Sequence, residues 1–273
     1  MLAPSSDGPA LALGTAFAIA GGVALTSPKS DSRKLPLTLG LLRVTGVTFD
    51  GPRPSDFFDV TSGPGGDVGV TVLDLRLHPI DGSAPAEVAR SIAAIAARGF
   101  RERTPLHAIV LDLTRALLEH PSARLRVTLL RFSAADARVE VTTAGMPPVA
   151  CALPGGRVTL HGVASQSLSR VSSAPPPVEI VPLVWGSTWL ALSDGFSHDS
   201  DHESTVREVA HQLELGDEGR LLCQQPPELL EELLPSRLPA FRRDAHEDAT
   251  LVLIAADPSA RSESGIQRGT PTS

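Results

Sequence analysis

The sequence predicts an α+β fold in which helices pack against antiparallel sheets. Three observations lead there. Apolar runs of strand length fall in groups, at 37–75, at 124–156 and again from 181 onward. Helical periodicity comes in two pairs, at 83–121 and 202–238. Turns dense in glycine and proline separate neighbouring strands, as hairpin connections do. Strands and helices segregated in this way favour sheets with helices on their faces over an alternating βαβ arrangement.

The elements follow in order. "PALALGTAFAIAGGVAL" (9–25) is apolar and uncharged, with no preceding Lys or Arg, so it lacks the basic region of a signal peptide. It is also glycine-broken and short of the roughly 20 apolar residues of a membrane span, so one or two buried strands with a Gly-Gly bend are expected. "LTLGLLRVTGVTF" (37–49) reads as a strand. "PSDFFDV" (54–60) starts another, "TSGPGGD" (61–67) is a hairpin connection, and "VGVTVLDL" (68–75) is a run suited to a strand covered on both faces. From Ser83 the period changes: Val88, Ile92 and Ile95 share one helical face, with Ser83 as the expected N-cap and Pro85 in the first turn. A second helix is expected over 104–121, opened by Thr104-Pro105 and stopped at Pro121.

"RLRVTLLRFSA" and "ARVEVTTAG" are two strands joined by a turn at Ala135–Asp136, and a third strand runs through "VACAL" to a turn at Gly155-Gly156. Residues 165–180 are polar and proline-rich, a surface connection. Residues 181–196 are strand, turn at Gly186, and strand ending in Ser193-Asp194-Gly195. "HESTVREVAHQLEL" and "PPELLEELLPSRL" are helices, and "HEDATLVLIAAD" (246–257) is a closing strand introduced by acids. The expected organisation is an N-terminal segment over 1–36, one domain over 37–256, and a polar, disordered tail over 257–273.

The 273 residues carry a net charge of −7, with 24 Lys and Arg against 31 Asp and Glu. So acidic a chain is a poor polyanion binder, which argues against nucleic acid and anionic membrane but not against metal cations. The two cysteines, Cys151 and Cys223, make no disulfide framework and read as free thiols of a reducing, cytoplasmic setting.

Acids recur at strand ends. Asp56 stands where a strand begins, Asp74 where a buried run ends, Asp194 after "WLALS", and Glu247 and Asp248 before "ATLVLI". A carboxylate at the edge of an apolar strand is unfavourable unless it is solvated, paired or bound to a cation. One such acid is an ordinary solvent-facing strand end. Several can converge, because strand ends of one sandwich cluster at a common edge, and hard divalent cations take oxygen ligands. Two other clusters carry less. "SHDSDHES" (197–204) fits no zinc or calcium spacing and reads as a solvated flap, and Arg242 and Arg243 read as surface residues.

Five segments in order resemble one family. "PSDFFDV" is similar to a "GGDFYDV" segment, "LDLRLHP" (73–79) to "GDVSGHG", "TAGMPP" (143–148) to "NAGHPP", "WLALSDGF" (189–196) to "LLLYTDGV", and "EDATLVLI" (247–254) to "DDATLLVL". Together they resemble the metal-dependent type 2C protein phosphatases, in the bacterial branch of stage II sporulation protein E and regulator-of-sigma-B phosphatases. The resemblance implies an α-β-β-α sandwich of two antiparallel sheets flanked by helices, with two Mn²⁺ or Mg²⁺ ions between the sheets. It implies Asp56, Asp74 and Asp194 as metal ligands, the Leu75 carbonyl as a further ligand, and the final acidic pair, Glu247 at its first position and Asp248 beside it, at the same metal site. Asp59 falls at an acid of structural role. The implied reaction is hydrolysis of phosphoserine or phosphothreonine by a metal-activated water, without a cysteine or serine nucleophile. The implied partner is a phosphorylated protein, in that branch often an anti-sigma-factor antagonist.

The chain departs from the family segments at several positions. Leu73, Leu77 and Pro79 stand at glycines, which allow close backbone approach and a tight turn. Pro54-Ser55 replaces Gly-Gly, Glu247 replaces an aspartate, and Met146 replaces a histidine; His78 keeps the histidine of its segment. Two readings therefore compete: a working phosphatase, and a non-catalytic relative that uses the fold as a regulatory binding module. The three retained aspartates favour the first, because a metal site needs its acids more than its glycines.

Overall fold

The computed structural model describes residues 22–23, 37–49, 55–77, 85–163, 165–172, 174–196, 201–216, 218–238 and 248–257. Twelve strands among them form two six-stranded sheets. The first sheet contains β1 (Gly22–Val23), β4 (Asp56–Ser62), β5 (Val68–Arg76), β6 (Arg124–Ser133), β7 (Arg138–Ala144) and β10 (Glu179–Pro182), in that spatial order. The second runs β2 (Leu37–Leu39), β3 (Leu42–Phe49), β12 (Ala249–Ala256), β11 (Thr188–Leu192), β8 (Val149–Ala152) and β9 (Val158–His161). Every pairing is antiparallel.

The strand period of two decides which side chains face what. On β5, Val68, Val70 and Val72 pack between the sheets, while Leu73 and Leu75 face the helices. On β12, Val252, Ile254 and Ala256 face inward, and Leu251 and Leu253 face outward. The layer between the sheets is filled by such residues around Phe132 and Trp189, whose rings meet edge to face at 5.6 Å. Outside the first sheet lie α1 (Pro85–Arg101) and α2 (Leu106–Ala116), which bury Ile92, Phe100, Ile109 and Leu113 against it. Outside the second lie α3 (His202–Gln212), α4 (Gly219–Leu222) and α5 (Pro227–Arg237), which bury Val206, Leu222, Leu230 and Leu234. The result is the α-β-β-α sandwich expected from the resemblance.

Several local expectations need correction. The single strand over 37–49 is a hairpin: Gly40 takes φ +62°, the left-handed region open to glycine, and Leu39 pairs back on Leu42. An unbroken apolar run hid that turn. The helix over 104–121 begins at Leu106 and ends at Ala116, followed by a 3₁₀ turn over Leu117–Glu119. The connection over 165–180 ends two residues early, because Glu179 and Ile180 already pair on β7. Strand β9 and helix α4 were not expected. Of the N-terminal segment only Gly22–Val23 is described, pairing with Thr61 and Val60. The Ser83 cap, His78, Glu247, the two arginines 242–243 and the tail from 258 lie outside the described residues. Cys151 and Cys223 are both buried and free. No described helix is long and apolar enough to cross a membrane.

Candidate metal centre

The period that fills the sandwich also aims its acids. Asp74 continues the inward row Val68, Val70, Val72 on β5, and Asp56 continues the row Val60, Phe58 on β4. The two are direct cross-strand partners. Ser193 follows Trp189 and Ala191 in the same way, and Thr250 and Asp248 precede Val252. All of these rows run out at one edge of the sandwich. There Asp56, Asp74 and Asp194 each bring a carboxylate oxygen within 4.8 Å of the other two. Asp56 and Asp74 are 1% exposed and Asp194 is 9%.

A bonded scaffold fixes these groups. Ser193 Oγ donates to Asp56 Oδ2 and accepts from the Thr250 N–H at 2.8 Å, tying β4, β11 and β12 together. Asp248 Oδ2 accepts from the Ser55 N–H at 2.7 Å and reaches the Asp56 N–H at 3.5 Å, anchoring the start of β4. Asp194 opens the 3₁₀ turn Asp194–Phe196 directly after β11. Gly195 in that turn lies so close to β12 that a Cβ there would come 1.8 Å from the Asp248 carbonyl oxygen. Only a glycine lets the turn approach and hold Asp194 at the edge.

The crowding has an electrostatic signature. Burial, then the neighbouring Asp74 charge, push the Asp56 carboxyl well above the usual carboxylate range; Asp248 adds to this, and hydrogen bonds from Ser193 and Thr250 oppose it. Asp74 Oδ1 is buried without a hydrogen-bond partner among the described residues. Like charges placed opposite one another on a sheet are unfavourable without a cation between them. Three hard carboxylates and an orphaned oxygen fit a divalent cation of the magnesium or manganese type.

Two arginines also reach these acids. Arg76 follows Asp74 by two residues on the same face, and Arg126 is the cross-strand partner of Asp74 on β6. Arg76 Nε lies 3.2 Å from Asp74 Oδ2, and Arg76 Nη2 lies 3.2 Å from Asp194 Oδ2. Arg126 Nη1 lies 3.2 Å from Asp74 Oδ2 and also pairs with Asp194 Oδ2. The first residue of α3, His202, lies near them: burial and the Arg126 charge hold its imidazole below the ordinary range, partly opposed by Asp201.

The expected residues thus divide. Asp56, Asp74 and Asp194 come together; Asp248, expected at the metal with them, is not in that group of carboxylates and has its Oδ2 on the Ser55 N–H. The Leu75 side chain points into the helix-facing core while its N–H donates to the Ser55 carbonyl at 2.9 Å. Asp59 lies on the opposite face of β4 from Asp56 and accepts from Thr61 Oγ1 at 2.9 Å. In the flap, Asp201 caps α3 by accepting the Ser204 N–H at 3.0 Å. Sequence reading missed Ser193, Arg76 and Arg126. The strand period after Asp74 was the available signal for Arg76; Arg126 needed the β5–β6 register.

Comparison with known proteins agrees with this architecture. The family model described as Stage II sporulation protein E (SpoIIE) matches residues 64–257. No curated protein matches. Among solved structures, the RsbU and RsbW domains of a Mycobacterium tuberculosis protein superpose with a TM-score of 0.60 at 18% identity, over 81% of this chain and 62% of that one. The PP2C phosphatase domain with a regulatory fragment of SpoIIE from Bacillus subtilis gives 0.56 at 16% identity, over 79% and 62%. The SiaA PP2C domain of Pseudomonas aeruginosa gives 0.57 at 18% identity, over 77% and 85%. The chain therefore spans less than two thirds of the first and second of these, and the likeness at such identities is one of fold.

Proposed function

The chain belongs to the stage II sporulation protein E family, and from that premise we propose that it is a divalent-metal-dependent phosphatase acting on phosphoserine or phosphothreonine in a protein substrate. One observation carries the proposal: oxygens of Asp56, Asp74 and Asp194, from three different strand ends, lie within 4.8 Å of one another at the edge between the sheets. The catalytic unit is proposed to be residues 37–256, working in the cytoplasm.

Asp74 is the proposed central ligand, since it has a buried oxygen to spare. Asp56 and Asp194 would flank it, with the Leu75 carbonyl and Glu247 completing the environment of two Mn²⁺ or Mg²⁺ ions and Asp248 holding β4 in position. When bound, such ions make water a competent nucleophile near neutral pH and offset charge on the phosphoryl oxygens. The chain's own part is to fix the carboxylates before substrate arrives. The Ser193 bridge and the Gly195 approach supply that rigidity. The family branch supports a phosphorylated regulator, such as an anti-sigma-factor antagonist, as the substrate.

A second reading is favoured by a different observation. Arg76 and Arg126 pair with the same two carboxylates that the ions need. On that reading the chain is a binding module with the family fold and no turnover. Phosphate release from a phosphoserine peptide separates the two. Mn²⁺-dependent turnover that is lost in Asp74→Asn and in Asp194→Asn supports the phosphatase. No turnover with any divalent ion supports the module.

A further inference from the structure

We infer that Arg76 and Arg126 are resident cations that compete with divalent metal for Asp74 and Asp194, so that metal enters only as the two guanidiniums swing away. The inference rests on the proposal that these acids form a metal centre. Its basis is positional. Arg76 lies two residues past Asp74 on the inward face of β5, and Arg126 faces Asp74 across the β5–β6 ladder. Both positions put the guanidinium within reach of the acidic edge. Both heads take the acids. Four ion pairs join two guanidiniums to Asp74 Oδ2 and Asp194 Oδ2.

Charge explains why occupation is exclusive. Two guanidiniums already occupy Asp74 Oδ2 and Asp194 Oδ2, so a divalent ion added at the same oxygens would meet two like charges at close range in a largely buried pocket. Withdrawal is open to both. The Arg76 side chain is 42% exposed and that of Arg126 is 26%, and long arginine stems keep apolar contact while the head turns to water. The oxygen left over, Asp74 Oδ1, has no hydrogen-bond partner among the described residues. The guanidiniums thus cover Asp74 Oδ2 and Asp194 Oδ2 without satisfying the centre, and a cation with several coordination positions satisfies it more completely.

The test is calorimetric titration of the full, metal-stripped chain with Mn²⁺, for wild type, Arg76→Gln, Arg126→Gln and the double variant. The expected result is a Kd lowered by about tenfold or more in the double variant, with the singles between. Melting in chelator gives a readout independent of metal. The variants should melt below wild type without metal, because the acids lose their counter-charges, and Mn²⁺ should raise their Tm by more than it raises that of wild type. If the double variant does not fold, the two single variants carry the comparison. Equal affinity within about twofold across the set overturns the competition while leaving the metal centre standing. No binding by any variant overturns both. Binding by the double variant alone upholds the competition and removes metal dependence from the wild type.

Discussion

Asp56 and Thr250 are joined through a single hydroxyl: Ser193 Oγ donates to the Asp56 carboxylate and accepts the Thr250 N–H at 2.8 Å. The link crosses from one sheet to the other at the edge where the acids gather. It makes the position of Asp56 depend on the relative placement of β4, β11 and β12. A ligand held this way needs little reorganisation when a cation or substrate arrives.

Ser193→Ala should therefore act on stability before it acts on chemistry. The substitution leaves the buried Thr250 N–H without its Ser193 partner and takes from Asp56 one of its two hydroxyl donors, at about 1–3 kcal/mol. Urea denaturation with chelator present measures it. A change below about 0.5 kcal/mol, the range of neutral surface substitutions, would mean that the bridge does not bind the sheets together.

Asp56→Asn should have opposite effects with and without metal. The Asp56 carboxyl titrates well above its ordinary value, chiefly because of burial and then because of Asp74. A group shifted this way favours the folded state fully below its unfolded pKa, near 3.9, and that contribution is lost as pH rises through the raised value. The metal-free wild type should lose stability over that rise, and the asparagine variant, which cannot ionise, should not. With Mn²⁺ at mildly alkaline pH the order should reverse, because a ligand is gone. Melting curves across pH in chelator and in Mn²⁺ check both halves.

Gly195→Ala should weaken the centre without touching a carboxylate. A methyl at this position meets the Asp248 carbonyl at 1.8 Å, so the turn carrying Asp194 must move. Metal affinity is expected to fall by about tenfold or more, since octahedral cations tolerate little error in ligand position. Mn²⁺ titration reads the effect, and a retained affinity would show that Asp194 keeps its place without the close approach.

The sequence made some of this legible and hid the rest for identifiable reasons. The three aspartates could be read because each stands at an end of a strand, and strand ends of a sandwich share an edge. Their convergence followed once the strand period put Asp56 and Asp74 on the inward rows. The α+β class followed from the grouping of strands and helices, and the two-sheet architecture from the family resemblance of the five segments in order. Arg76 and Arg126 stayed hidden because an arginine beside an apolar strand looks like ordinary surface. The register pairing Asp74 with Arg126 is needed to see it as an occupant of the acidic edge. Ser193 was hidden in the same way, since a serine before an aspartate reads as turn chemistry until Thr250 is set beside it. The hairpin at Gly40 was masked by leucines on both sides.

The central claim is a divalent-cation centre held by Asp56, Asp74 and Asp194. Crystals of the chain grown with Mn²⁺, measured at the manganese absorption edge, test it most directly. The expected result is anomalous density at this edge, with Asp56, Asp74 and Asp194 each placing an oxygen within about 2–2.5 Å of a manganese ion and with Arg76 and Arg126 turned away. Anomalous density elsewhere, or none with both guanidiniums still on Asp74 and Asp194, would contradict it.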